Sequence, residues 1–370
     1  MKKKNTFFTL AQQSWIRALD SKFKICSKKL TNFRICYKAL TMLLLLLVPA
    51  HTLKGEGKLS GLMFGDYYYA LKNHDATVKN NNGFWFRRIY FTYDNTLTKK
   101  ISMRFRLEMN SPGDFKTSTT LIPFVKDAFL SAKVGKQTLM LGLISTPLYD
   151  NLDDYWGYRP MEKMPIDLFK FGNSREFGLG LKGALDAKNK LTYTVIVGNG
   201  AGFKSETDHG KAVYGRLNFQ PAQALFFELY ADYTNTGNDS SVNIFQAFAG
   251  VKGKWGRSGL NFGVRNAKQA GISSNMKFVS IFGVFKLCQK MEFIGRFDRL
   301  LDPNPNGSKI DYIPMANNAK ANVLLAGLGW ALSENVKIIP NIKYVFYDTP
   351  GSGAKPQADF YAYLTLYFKF

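Results

Sequence analysis

Residues 101–110 read ISMRFRLEMN, and apolar and polar side chains alternate through the whole stretch. Ile101 and Met103 would lie on one face of a strand, while Arg104 and Arg106 would lie on the other. A period of two over about ten residues is the length and pattern of a tilted strand that crosses a bilayer. A single segment of this kind is equally typical of a half-buried strand in a soluble sandwich. The number of repeats therefore decides between the two.

The alternation recurs along the whole chain after residue 51, and it is clearest at 224–233 and at 358–370. The phase is ambiguous at 275–287 and 320–332, so 14 or 18 strands stay possible, although 16 is the predicted number and single-chain bacterial barrels have an even one. The predicted strands are 58–71, 83–94, 100–110, 123–134, 137–146, 174–184, 190–198, 211–219, 223–235, 243–254, 258–268, 275–287, 289–301, 320–332, 335–347 and 358–370.

The predicted connections alternate between short and long. Short turns include Gly135-Lys136 and Gly256-Arg257, and most of the intervening loops, 269–274 among them, count as longer, with 236–242 as a short exception. Long loops at one end and short turns at the other are typical of a membrane barrel and not of a Greek-key sandwich. We therefore expect an all-β fold, a transmembrane antiparallel up-and-down β-barrel over residues 51–370.

The first 50 residues have a different composition. The whole chain carries a formal charge of +23, and residues 1–38 contribute ten Lys/Arg against a single acid. The apolar block 39–50 follows and would span about 18 Å as a helix, well short of a hydrocarbon core of roughly 30 Å. A signal peptide over residues 1–50, cleaved near Ala50, is the prediction. Cleavage would leave Cys288 as the one thiol, so no disulfide is expected.

The longest connection, residues 147–173, follows the fifth strand and is rich in aromatic and charged residues. In sixteen-stranded general porins the loop at this position folds into the lumen and narrows it. A loop packed over the mouth is the alternative. The adjacent acids Asp153 and Asp154 are more typical of a solvated loop than of a metal or acid–base site, so no metal is expected. The candidate constriction residues are Tyr155, Trp156, Arg159, Glu162 and Lys163.

Charged side chains occupy the strand faces opposite the apolar ones. Lys or Arg facing lipid at mid-depth would cost about 2–4 kcal/mol each, so these residues should line the lumen. Thirteen cationic side chains against eight acidic ones favour anions, unless the charges pair with one another and only solvate the interior. The candidate lining residues from this pattern are Arg88, Arg104, Arg106, Lys133, Lys182, Arg216, Arg265 and Arg296.

Four stretches within 83–182 resemble the phosphate-selective porin O and P family. They are Phe84-Trp85-Phe86-Arg87-Arg88, Lys126-Asp127-Ala128-Phe129-Leu130, Leu141-Gly142-Leu143-Ile144-Ser145-Thr146-Pro147-Leu148 and Ser174-Arg175-Glu176-Phe177-Gly178-Leu179. The resemblance implies a sixteen-stranded anion channel that assembles as a homotrimer. It also implies that Arg87, Arg88, Asp127, Arg175 and Glu176 belong to the pore.

The predicted function is an outer-membrane porin, a water-filled diffusion channel for small hydrophilic solutes with a preference for anions or phosphate. A structural or adhesive barrel with a blocked lumen is the alternative. An enzyme is not expected, because none of His51, His74 and His209 lies on a strand face beside a candidate serine. The expected partners are membrane lipid and solutes. No cofactor is expected, and no nucleic acid, because the basic residues are spread over alternating strand faces.

Overall fold

The computed structural model describes residues 57–370 except Asp208, Asn238 and Gly271. The predicted signal peptide and its cleavage near Ala50 lie outside the described residues. The strands are β1 Gly57–Lys72, β2 Asn82–Thr96, β3 Ile101–Met109, β4 Phe124–Val134, β5 Gln137–Ser145, β6 Arg175–Ala184, β7 Leu191–Gly198, β8 Lys211–Phe219, β9 Leu225–Asn235, β10 Ser241–Gly253, β11 Gly256–Gln269, β12 Ile272–Lys286, β13 Met291–Leu300, β14 Ala321–Ala331, β15 Val336–Tyr347 and β16 Asp359–Lys369.

The strands form one closed barrel in which every neighbour is antiparallel. β1 closes the ring by pairing with β16, so that Leu62 lies opposite Lys369. The prediction of a sixteen-stranded up-and-down barrel is confirmed. Two connections were predicted wrongly. Gly256 pairs with Gly253 within the ladder instead of forming a turn, and β12 begins at Ile272, inside the connection predicted at 269–274. In both places glycine and polar residues are turn-like in composition but lie in strands.

The two faces of the strands have different exposure. In β9, Leu225 and Leu229 are 39% and 51% exposed, whereas Tyr230, on the opposite face of the strand, is 1% exposed. In β16, Leu364 is 50% exposed and its neighbour Tyr363 is 4% exposed. A continuous apolar outer surface of this kind is stable in hydrocarbon, where closure also leaves no backbone groups unpaired.

Two β-bulges turn cationic side chains into the barrel. Between β1 and β2 the register passes from Arg88 to Phe86 and leaves Arg87 unpaired, and between β3 and β4 it passes from Asp127 to Val125 and leaves Lys126 unpaired. A bulge redirects a side chain that strict alternation would turn to the other face. Arg87 and Lys126 consequently point into the barrel beside Arg88 and Asp127.

The connection between β5 and β6, residues 146–174, is called the inner loop here. It contains two short helices, α1 Asp150–Trp156 and α2 Pro165–Leu168. Gly157 ends α1 with a φ of 70°, a left-handed conformation that glycine adopts without strain. Pro165 begins α2 at the position where its missing N–H is not needed. Neither helix of the described chain is long or apolar enough to cross a membrane.

The inner loop packs against inward-facing residues of β9 to β15. Tyr155 stacks on Phe226, with ring centroids 5.6 Å apart, and Trp156 meets Phe282 edge-on at 4.9 Å. Glycines on the barrel wall make room for the larger rings, because a Cβ at Gly329 would overlap the ring of Tyr158. The apolar core of the molecule therefore lies between the inner loop and one half of the wall.

Candidate functional site

Four consecutive cavities lie inside the barrel, and neighbouring cavities share lining residues. The cavity nearest the long loops measures about 510 Å³, and it shares Lys163 and Asp311 with a narrow cavity of about 190 Å³. The narrow cavity shares Arg88 and Lys126 with one of about 700 Å³, which in turn shares Lys182 with a fourth of about 610 Å³ at the short turns. Together they trace a polar route from one end of the barrel to the other.

The wall of the route on β2, β3, β4 and β6 carries a network of charges. Glu108 lies between Arg88, at 3.0 Å, and Lys126, at 2.8 Å. Asp127 pairs with Arg106 at 3.2 Å and with Arg175. Four cations thus share two carboxylates. We call these residues the wall cluster: Arg88, Arg106, Glu108, Lys126, Asp127 and Arg175.

The inner loop presents the opposite balance to this wall. Arg159 bridges two acids, with Asp153 at 3.2 Å and Asp167 at 2.9 Å. Burial raises the pKa of Asp153 to about 6 against the attraction of Arg159. Burial also opposes ionisation of Asp167, but Arg159 and Lys163 outweigh it and lower the pKa of this carboxyl. The loop side of the route is therefore the acidic side, and part of its charge is titratable.

The inner loop is fixed to β2 and β15 through buried ions. Glu162 pairs with Arg87 at 2.9 Å and with Lys343 at 2.7 Å, and all three side chains are 1% exposed or less. Arg296 pairs with Asp298 at 2.8 Å. Glu162 and its two partners hold the loop in place, and Arg87 also lines the narrow cavity. Arg296 lies over the ring of Trp156 in the loop.

The described cavities divide the predicted lining residues into two sets. Arg296 and Lys133 are absent from the lining of the four cavities, although Lys133 faces the same side as Thr138, its partner across β4 and β5. The predicted residues that line them are Arg87, Arg88, Arg104, Arg106, Arg175, Lys182, Arg216 and Arg265.

Some lining residues also bind the inner loop. Arg216 donates to the carbonyl of Pro147 at 3.1 Å, and Arg265 donates to the carbonyl of Phe171 at 3.0 Å. They hold the two ends of the loop against β8 and β11.

The predicted constriction residues are likewise divided. Trp156 and Glu162 are fully buried behind the route, and Tyr155 stacks on the wall while lining the cavity at the short turns. Arg159 and Lys163 line the narrow cavity itself. Of these five residues, Arg159 and Lys163 therefore reach the narrow part of the route, whereas Trp156 and Glu162 do not.

Several residues of the narrow cavity were not among the predicted lining residues. Lys126 is one of them, because alternation from Asp127 would turn it outward and gives no sign of the bulge. Asp311 and Tyr312 belong to a loop with no recognisable motif, and only the fold brings them to the inner loop. In the described part of the chain, no three His, Cys, Asp or Glu side chains are grouped to hold a metal.

The charge of the route changes along its length. The cavity at the long loops has three cations and three acids, and the narrow cavity has five cations and three acids. The cavity below it has nine and six, and the one at the short turns has five and one. Positive charge therefore prevails and increases toward the short turns, which favours anions in a water-filled route.

Solved structures with this fold include bacterial outer-membrane proteins. An anion-selective porin from Comamonas acidovorans superposes with a TM-score of 0.65 at 12% identity, over 86% of this chain and 100% of that chain. OmpT of Vibrio cholerae in its trimer form gives 0.57 at 10% identity, over 85% and 99%. The outer membrane channel DcaP of Acinetobacter baumannii gives 0.59 at 10% identity, over 85% and 97%. No family model and no curated protein sequence matches the chain.

Proposed function

We propose that this protein is an outer-membrane porin, a water-filled diffusion channel for small hydrophilic solutes that favours anions. The observation that carries the proposal is the series of four charged cavities through a closed barrel with an apolar exterior. Charged side chains at these positions would be costly in hydrocarbon and are stable in a hydrated lumen. Export through segment 1–50, with removal near Ala50, is part of the same proposal.

The inner loop supplies the constriction in this proposal. Its acids face the wall cluster across the cavity of about 700 Å³ below the narrow one, so a permeating ion passes between a cationic and an anionic surface there. The cationic excess of the lining favours anions over cations. Neither surface is a single-sign ring, because each contains internal ion pairs. A moderate preference follows, and strict selectivity does not.

Phosphate as a preferred solute and assembly as a homotrimer complete the proposal. Both follow from the resemblance of residues 83–182 to the phosphate-selective porins, and the trimer form of the Vibrio neighbour is consistent with the second. Replacing chloride by phosphate in conductance measurements tests the solute. The mass of the detergent-solubilised protein tests the assembly.

Single-channel recording in planar bilayers with a KCl gradient tests the channel itself. We expect open-channel currents and a reversal potential shifted from zero toward the chloride equilibrium potential. Arg106→Ala should reduce the anion-to-cation permeability ratio about twofold, the effect of one unit charge on both ions across about 10 Å of water with about 0.1 M salt screening. Arg299→Ala is the control, because Arg299 also pairs with a carboxylate but is not among the residues lining the four cavities. The absence of channels would favour a blocked barrel, and a cation-selective reversal potential would contradict the anion preference.

A further inference from the structure

A second loop takes part in the narrow segment. Residues 301–320 connect β13 to β14 and are called the mouth loop here. Asn304 donates to the carbonyl of Phe169 in the inner loop at 3.0 Å. Tyr312 donates to the carbonyl of Ser111 at 2.6 Å, and it accepts at its own carbonyl a bond of 2.5 Å from Tyr363. The mouth loop is thus fixed on both sides of the route.

The mouth loop places one carboxylate between two cations of the inner loop. Asp311 lies 3.2 Å from the ammonium of Lys163 and 3.2 Å from that of Lys170, one through each oxygen. Asp311 and Lys163 line both the narrow cavity and the cavity above it, and Lys170 lines the upper one. A solute that enters from the long loops must pass this group of three.

The pairing is open to exchange with a solute. The side chains of Asp311 and Lys170 are 34% and 35% exposed, and ion pairs of this exposure contribute little because water screens them. An incoming carboxylate or phosphate therefore meets two ammonium groups whose only carboxylate partner among the described ion pairs is weakly held.

The backbone of Lys170 gives an independent sign that its side chain matters. Its φ is 57°, in the left-handed region just after α2, where glycine would be free of strain. The chain keeps a lysine here at a cost in backbone strain. The ammonium of this lysine donates a hydrogen bond to Asp311.

We propose that Lys163 and Lys170 form an anion-binding site at the mouth of the narrow segment, and that Asp311 occupies it as a built-in competing anion. The ligand class is a small carboxylate or phosphate. The role in permeation rests on the proposed channel function. Asp311 then lowers the anion preference of the channel, since it neutralises one of the two cations that an entering solute would meet.

Asp311→Asn tests the proposal in the full-length protein. We expect the chloride-to-potassium permeability ratio to rise about twofold, the effect of one unit charge on both ions across about 10 Å of water with about 0.1 M salt screening. The concentration of inorganic phosphate that halves the chloride current from the long-loop side should fall, because the internal competitor is gone. Lys163→Met with Lys170→Met should remove this phosphate block.

Two controls separate charge from loop structure. Asp348→Asn removes a carboxylate that is also 34% exposed and ion-paired but is not among the residues lining the four cavities, and it should leave both measurements unchanged. Asp311→Glu keeps the charge, so it should not raise the permeability ratio in the way that Asp311→Asn does.

Each remaining outcome bears on one proposal. An unchanged permeability ratio and phosphate block in Asp311→Asn, with noisier currents, would assign Asp311 a purely structural role and overturn the inference. An original protein that conducts no current would contradict the channel function instead.

Discussion

The two sides of the inner loop differ in what the barrel wall offers them. Toward β9 to β15 the wall presents rings such as Phe226 and Phe282, and the loop meets them with Tyr155 and Trp156. Toward β2 to β6 the wall presents the wall cluster, and the loop meets it with acids and Arg159. Both surfaces belong to the same inward-facing register of one barrel.

Inward-facing positions of one barrel can therefore be either apolar or charged. Where the loop packs against the wall, many inward residues are apolar and the ions beneath the loop are paired and buried, although cavities also reach parts of β9 to β11. Where the loop leaves the wall open, inward residues are charged and line cavities. One segment of fewer than thirty residues therefore divides a uniform lumen into a dry half and a wet half.

The strongest way to break this division is to remove the central charge of the dry half. Glu162→Gln leaves Lys343 and Arg87 without their buried carboxylate. Breaking a buried ion pair in this way costs about 3–5 kcal/mol. We expect the inner loop to detach in part, with larger and noisier single-channel currents and a lower melting temperature.

A carboxylate outside the lumen provides the control for this change. Glu206→Gln removes an acid that pairs with Lys211 at 2.7 Å on the long-loop side, where the lysine is 57% exposed. Its currents should match those of the original protein. Steady currents of unchanged size in Glu162→Gln would show that ring packing alone holds the loop.

Much of the wet half was predictable from the sequence, and little of the dry half was. Alternation identified Arg88, Arg104 and Arg106, because a period of two is a local property of the chain. It also assigned Arg296 to the lumen, and this residue does lie on the inner side. Its burial against Trp156 of the inner loop depends on a segment more than a hundred residues away.

The bulges mark a second limit of the sequence pattern. Arg87 was assigned to the pore through a family resemblance, since alternation from Arg88 would turn it outward. Lys126 had no such help. A bulge changes the face of a residue without changing its neighbours in sequence, so the period alone could not reveal it.

A smaller disturbance of the dry half comes from filling a space on the wall. Gly329→Val would place side-chain atoms where the ring of Tyr158 now lies. The hydroxyl of Tyr158 donates a hydrogen bond to Glu292 at 2.5 Å. Overpacking of this kind costs about 1–3 kcal/mol. We expect the melting temperature to fall and open-channel noise to rise, less than in Glu162→Gln. Gly351→Val is the control, because nothing lies within 4 Å of a Cβ there, and equal behaviour of the two variants would refute the close fit of Tyr158 on this wall.

The smallest effect concerns the charge of the wet half and its dependence on pH. Burial raises the pKa of Asp153 to about 6, so lowering the pH from about 7.5 to about 5 protonates it. Loss of this negative charge opposite the wall cluster should raise the anion-to-cation permeability ratio, up to about twofold.

The loop itself should stay in place over this range. Burial opposes the charged form of Glu162, but Arg87 and Lys343 outweigh it and lower the pKa of this carboxyl, so Glu162 stays ionised. Reversal potentials at the two pH values measure the change, and Asp153→Asn should remove most of it. The pKa of Asp154 is also raised by burial and accounts for a remainder of the same sign. A ratio that falls with falling pH would mean that the wet half does not carry the ion flow past this carboxyl.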